Sequence, residues 1–348
     1  MGFARWLAGV GFAVAAMVST TAQAGPYTAE YVFGDSLSDN GNLAEAFYRQ
    51  NFPNPPSYHD SFTNGPVAAE VLASRLGLSL TPSLFLTGFK DIFGLFGGLS
   101  YVPGTNYAVA GATAAAAPVF GGIPRANLPQ QVAAYSAFKS SIADPNALFF
   151  VLSGGNDVRQ AALNHLGTAG ITSGVNNELA AIQLLIGEGA RNIMVVNVPN
   201  VGVIPEFAQD NISVAAAATS FSQQYDALLA SGLMSLLMPS GTKLNLFDLY
   251  AFNTNLIASA AAYGFTDTTD RCFTNTPLTP LATPECGVNG KSIDQYFYWD
   301  AIHPTGRVQA LAGNAIAAVL GVPEPSSPVL LGAGLLALAY FARRRKLG

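Results

Sequence analysis

Tyr31-Val32-Phe33-Gly34-Asp35-Ser36-Leu37-Ser38-Asp39-Asn40-Gly41-Asn42 decides how the rest of the chain reads. Three apolar residues that read as the end of a strand run directly into Gly, Asp and Ser, and a turn rich in Asn, Asp and Gly follows. A strand that stops so abruptly presents Ser36 at the carboxyl edge of a sheet, where open α/β sheets place their ligands. Taken alone, the stretch is equally an ordinary strand-to-helix turn with a capping serine.

Downstream, apolar runs of strand length alternate with helical ones. Strands are predicted over 147–152, 192–198 and 244–249. Helices are predicted over 67–76 (opened by Pro66), 178–188, 213–237, 252–263 and 307–320. Strands separated by helices of this length imply βαβ units, hence an α/β fold with a mostly parallel sheet covered on both faces. No internal repeat or linker interrupts residues 25–320, so one domain is expected there. The stretch from Leu78 to Val102 is less regular. Phe85, Phe89, Phe93 and Phe96 fall at spacings of four, four and three, one helical face, although Gly88, Gly94, Gly97 and Gly98 weaken a helix. These rings are either core or an apolar lid over a site.

The two ends have their own character. Arg5, an uncharged apolar run from Trp6 to Val18 and Ala22-Gln23-Ala24 form the three-part pattern of a secretory signal peptide over residues 1–24. At the other end, over 322–348, Pro323-Glu324-Pro325 precedes an apolar stretch from Pro328 to Ala342, and Arg343-Arg344-Arg345-Lys346 stops it. A short apolar segment halted by cations is a membrane-retention device, marginal as a permanent transmembrane helix, and implies transient membrane association. This tail resembles the PEP-CTERM sorting signal of exopolysaccharide-producing Gram-negative bacteria. The resemblance implies an exosortase-type processing partner and delivery to the cell envelope, cell surface or medium.

Of 348 residues, half are apolar and 11% charged, which excludes a disordered chain. Once Arg5 and the four tail cations are set aside, residues 25–325 carry 11 basic against 21 acidic residues, a balance of −10. An acidic body without a basic stripe argues against a nucleic-acid partner. In an exported protein the two cysteines, Cys272 and Cys286, read as a disulfide pinning a proline-rich surface loop. No CxxC pair or His cluster accompanies them, so no metal site is expected.

Chemistry points to His303 in Tyr298-Trp299-Asp300-Ala301-Ile302-His303-Pro304-Thr305-Gly306. An Asp three residues before a His lets a turn set its carboxylate against Nδ1, fixing the tautomer. A hydrolytic serine needs such a base within hydrogen-bond reach. The other histidines, His59 and His165, read as solvent-facing or capping residues. Donors for an oxyanion are available in two glycine-containing turns, Gly104 to Thr113 and Gly154-Gly155-Asn156-Asp157.

In order and kind, Gly34-Asp35-Ser36, Gly111 within Asn106 to Thr113, Gly154-Gly155-Asn156-Asp157 and Asp300-Ala301-Ile302-His303 resemble the four blocks of the GDSL, or SGNH, hydrolases. The resemblance spans residues 28–320. It implies a three-layer, flavodoxin-like α/β/α fold and a serine hydrolase of carboxylic esters needing no cofactor. Ser36 is implied as nucleophile, His303 as base and Asp300 as its orienter, with the Ser36 and Gly111 amides and the Asn156 side chain as oxyanion donors. Ser38-Asp39-Asn40-Gly41-Asn42, Phe62-Thr63-Asn64-Gly65-Pro66 and Tyr298-Trp299 look like the lipase branch that includes lecithinases and haemolysins. There is no GxSxG elbow, which argues against an α/β-hydrolase. Two other readings stay open: an acyl esterase acting on exopolysaccharide, and a non-catalytic matrix protein on the same fold.

Overall fold

The β-branched and aromatic runs form a parallel sheet of four strands: β1 (Glu30–Gly34), β4 (Leu148–Leu152), β5 (Asn192–Val196) and β6 (Lys243–Phe247), hydrogen-bonded in that order. The computed structural model describes residues 26–44, 56–87, 98–115, 126–139, 142–164, 166–274, 286 and 290–323. On the outer edge of β1, residues 105–109 run alongside it. The Val32 N–H donates to Thr105 O, and the Tyr107 and Val109 N–H groups donate to Val32 O and Gly34 O. Sequence reading takes this segment for a loop; with it, the order across the sheet is the flavodoxin-like one.

β4 shows why the sheet needs two covering layers. All five of its residues are buried, and they alternate between two cores. Phe149 and Val151 pack with α2 (Leu128–Phe138), α3 (Gly155–Leu163), α4 (Gly167–Gly187) and α5 (Ile212–Leu233). Leu148, Phe150 and Leu152 pack with α1 (Ala68–Arg75) and α7 (Gly306–Val319) on the opposite face. The three-layer α/β/α expectation holds.

Some element bounds differ from the sequence reading. Helix α1 begins at Ala68 with Val67 as its cap, so Pro66 lies just outside it. The strand expected over 244–249 stops at Phe247, because Asp248 caps α6 (Leu249–Ala258) by accepting the Ala251 N–H at 2.9 Å. Helix α4 starts eleven residues before Glu178. The predicted phenylalanine helix is corrected at its start: Phe85 lies in β2 (Leu84–Thr87), paired antiparallel with β3 (Gly98–Tyr101). Glycines at both ends of the segment suit a hairpin better than a helix. Phe89, Phe93, Phe96 and His165 lie outside the described residues, as do residues 1–24 and most of the tail.

Near the C-terminus, β7 (Asp267–Arg271) pairs in parallel with β8 (Tyr296–Tyr298), which leads straight into Trp299 and Asp300. Cys272 and Cys286 form a disulfide with Cα atoms 4.7 Å apart. Both cysteines are buried, in a small core with Phe62, Ala110, Phe273 and Trp299. The bridge is therefore part of the platform under residues 299–303. Cys272 and Phe273 donate their N–H groups to Tyr298 O and Trp299 O.

Candidate active site

Ser36 and the pair Asp300 and His303, separated by most of the chain, meet at the carboxyl edge of the sheet. Ser36 Oγ lies 2.8 Å from His303 Nε2, and His303 Nδ1 lies 2.8 and 2.9 Å from the two oxygens of Asp300. Asp300 Oδ1 also accepts the Ile302 and His303 N–H groups at 2.8 and 2.7 Å, which folds the segment into a tight turn around its own carboxylate. Burial pushes the Asp300 carboxyl up, but His303 and these hydrogen bonds outweigh it and hold the group below the usual carboxylate range. An ionised Asp300 fixes His303 with Nδ1 protonated, leaving Nε2 as an acceptor for the Ser36 hydroxyl.

Gly34 explains how Ser36 reaches its place. At its φ of 154° a Cβ would overlap Leu152 O of β4, so only glycine lets the two backbones close at the strand tip. Gln131 locks the same point, accepting the Gly34 N–H and donating to Gly34 O, both at 2.8 Å.

The other two predicted residues, Gly111 and Asn156, lie on segments that touch each other. Asn156, in the first turn of α3, donates from Nδ2 to Ala112 O at 2.9 Å, which ties it to the loop carrying Gly111. Two buried carboxylates hold that loop in turn. Asp39 accepts the N–H groups of Gly41, Asn42, Leu43 and Ala110, and Asp157 accepts those of Ala114 and Ala115. Burial raises both carboxyls, and that of Asp35, to about 6. His59 is exposed.

The segment Phe62 to Pro66 seats the histidine loop. The Phe62 ring lies 5.2 Å from that of His303, the Thr63 hydroxyl donates to Pro304 O at 3.0 Å, and Asn64 Oδ1 accepts the Gly306 N–H. Sequence reasoning missed the supporting roles of Asp39, Asp157 and Gln131. It also missed Arg159, whose guanidinium binds Asn156 Oδ1 and Glu206.

From Ser36 a cavity extends across the tips of β1, β4, β5 and β6, beneath α7 and the histidine loop. Its wall is mainly apolar, including Leu152, Val196, Leu249, Ile302 and Ile316. Among the described residues, no cluster of three or more His, Cys, Asp or Glu side chains is arranged to hold a metal ion.

The profile of the GDSL-like lipase/acylhydrolase family matches residues 31–316. The chain belongs to that family. As a GDSL family member it is a serine ester hydrolase. A second profile, the PEP-CTERM protein-sorting motif, matches residues 321–346 and marks the chain as exported, sorted to the envelope and subject to exosortase processing. Among relatives, a GDSL esterase/lipase of Arabidopsis thaliana is 26% identical over 358 residues, covering 90% of this chain and 96% of that protein. The thermolabile hemolysin of Vibrio parahaemolyticus is 25% identical over 286 residues, 78% of this chain and 59% of that protein. An acetylxylan esterase of Geobacillus stearothermophilus aligns in structure with 12% identity and a TM-score of 0.40, covering 86% of this chain and 97% of that one. No helix among the described residues is long and apolar enough to cross a membrane.

Proposed function

We propose that this family member hydrolyses carboxylic esters through an acyl-enzyme on Ser36, and the observation that carries the reading is the continuous Ser36–His303–Asp300 relay. Ser36 Oγ attacks the ester carbonyl carbon while His303 Nε2 takes its proton. The carbonyl oxygen becomes an oxyanion facing the Ser36 and Gly111 amides and Asn156 Nδ2. Asp300 stabilises the imidazolium. The C–O bond to the alcohol then breaks as His303 returns the proton to the leaving oxygen. Water attacks the acyl-Ser36 with its proton going to His303, and collapse of the second tetrahedral species frees the carboxylic acid and restores the hydroxyl.

The apolar wall of the cavity beside Ser36 favours a lipid-like ester. The sorting motif favours the second reading, an acyl group on exopolysaccharide. Acetate released from an acetylated polymer, set against turnover of long-chain lipid esters, separates the two. In the same reading, residues 1–24 are a leader removed on export, 25–320 are the hydrolase, and 322–348 are a tail that holds the chain at a membrane until it is cut.

Ser36→Ala is expected to abolish both ester hydrolysis and labelling by a fluorophosphonate. Hydrolysis retained in that variant overturns the assignment, and labelling of the wild type at Ser36 excludes a purely structural matrix protein.

A further inference from the structure

We infer that Arg159, held by Glu206, is a positioning residue that sets the orientation of the Asn156 carboxamide and couples it to the histidine loop. The inference rests on the function proposed above and adds to it residues for which the four sequence blocks give no role.

A guanidinium can only donate hydrogen bonds, and a carboxamide has one accepting and one donating end. Arg159 lies one helical turn beyond Asn156, on the same face of α3, and its Nη1 donates to Asn156 Oδ1 at 3.0 Å. That contact admits only the oxygen, so Nδ2 must face the other way. There one of its two protons goes to Ala112 O at 2.9 Å, and the second remains for a substrate oxygen. With a neutral or absent side chain at position 159, only the bond to Ala112 O still favours this orientation, and a carboxamide that turns its oxygen toward the reacting carbonyl would repel the oxyanion.

Arg159 is itself fixed. Its Nε and Nη2 form a bidentate pair with the Glu206 carboxylate, both at 2.6 Å, and the two side chains retain 24% and 18% of their exposure, so the pair is largely shielded from water. Glu206 opens a π-helical turn, Glu206–Asp210, and its N–H donates to Ala301 O at 2.8 Å, inside the turn between Asp300 and His303. A single line of contacts thus runs from Ala112 through Asn156, Arg159 and Glu206 to Ala301. It joins the oxyanion side of the site to the acid–base side without touching the nucleophile. A shift of the histidine loop is transmitted to the amide that receives the developing charge.

The test is a double-mutant cycle on a p-nitrophenyl ester. Arg159→Met, which keeps the stem and removes every donor, is expected to lower kcat by about ten- to a hundredfold with KM changed less than about threefold. Arg159→Lys should recover part of the loss. In an Asn156→Ala background, Arg159→Met is expected to cost less than about twofold further. Glu206→Gln, which retains the main-chain contact to Ala301, should show a smaller loss of the same kind and carries the cycle if Arg159→Met fails to fold. An unchanged kcat in Arg159→Met, or the same fold-loss with and without Asn156, overturns the inference while leaving Ser36 chemistry intact. Wild-type protein that neither hydrolyses esters nor labels at Ser36 would remove the function and the inference together.

Discussion

The N–H of Gly306 donates to Asn64 Oδ1 at 2.8 Å across 242 positions of sequence. The contact fastens the first turn of α7, and with it the loop of His303, onto the segment that opens α1. It works only because the two backbones touch: a Cβ on Gly306 would sit 2.6 Å from Gly65 Cα.

Gly306→Ala should therefore move His303 away from Ser36. We expect kcat to fall at least about tenfold, because a small misplacement of reacting groups is costly, with a stability loss of roughly 1–3 kcal/mol. Asn64→Ala keeps the close approach, loses one cap-like bond and should cost about 1 kcal/mol. Thermal melts beside kcat measurements separate the two effects, and equal losses of rate in both variants would show that the approach itself is unimportant.

Asp300→Asn leaves a side chain of the same shape, but with its oxygen on the turn N–H groups it sets an N–H₂ in place of Oδ2 against His303 Nδ1, which favours the tautomer with Nε2 protonated. By analogy with the same change in serine proteases, kcat should drop on the order of a thousandfold or more. Steady-state kinetics on a short ester checks this, and a loss under tenfold would count against the relay.

Asp157→Asn tests the loop of the proposed oxyanion donor Gly111. Both oxygens of Asp157 accept main-chain N–H groups, from Ala114 at 2.8 Å and Ala115 at 3.0 Å. The amide sets an N–H₂ against one of them, leaving a buried donor unsatisfied at about 1–3 kcal/mol. The expected result is a tenfold or greater fall in kcat with the protein still folded at 25 °C.

Acid should separate stability from rate. Burial raises Asp35, Asp39 and Asp157 to about 6, against 3.8 for the unfolded chain. A raised folded value means a contribution to stability that is full below about pH 4 and is lost as pH rises through about 6. Asp300, held low, contributes in the opposite sense: its share is present above 3.8 and is lost only on stronger acidification. Between pH 7 and 5 the Tm should hold or rise. Over the same interval kcat should fall, since a proton on Asp39 or Asp157 places an O–H against the N–H groups of the oxyanion loop. A Tm that drops in step with kcat would contradict this.

Breaking the disulfide by Cys272→Ser with Cys286→Ser should lower stability by about 3 kcal/mol. Because the bridge packs with Phe62 and Trp299, the rate should suffer as well. Melts and kcat of the double variant against wild type provide the check.

Much of the fold was legible because buried parallel strands are compact apolar runs. β4 and β5 needed no periodicity, only their turn-bounded ends. The first half of α4 was hidden by Gly167, Gly170 and Gly174; at Gly174 a side chain would meet Asp157 and the Tyr225 ring, so packing against α5 overrides the weak propensity. The 4-4-3 spacing of phenylalanines failed at Phe85 because a hairpin flanked by glycines satisfies its backbone locally. Of the site, Ser36, Gly111, Asn156, Asp300 and His303 stood out as local patterns. Asp39 and Asp157 lie inside quoted motifs, but their hold on the Gly111 loop did not stand out, nor did Arg159. The contacts of Asp39 with Ala110, of Asp157 with Ala114 and Ala115 and of Arg159 with Glu206 cross 42 to 71 positions, and such contacts leave no period in the sequence.

Ser36 and His303 are separated by 267 positions, and the sorting motif begins at residue 321. In the order of synthesis, the hydroxyl emerges long before the imidazole of His303 exists to accept its proton. A chain that stops short of residue 303 lacks the relay. The relay is complete only with the final turn and helix of the domain, just ahead of the sorting motif.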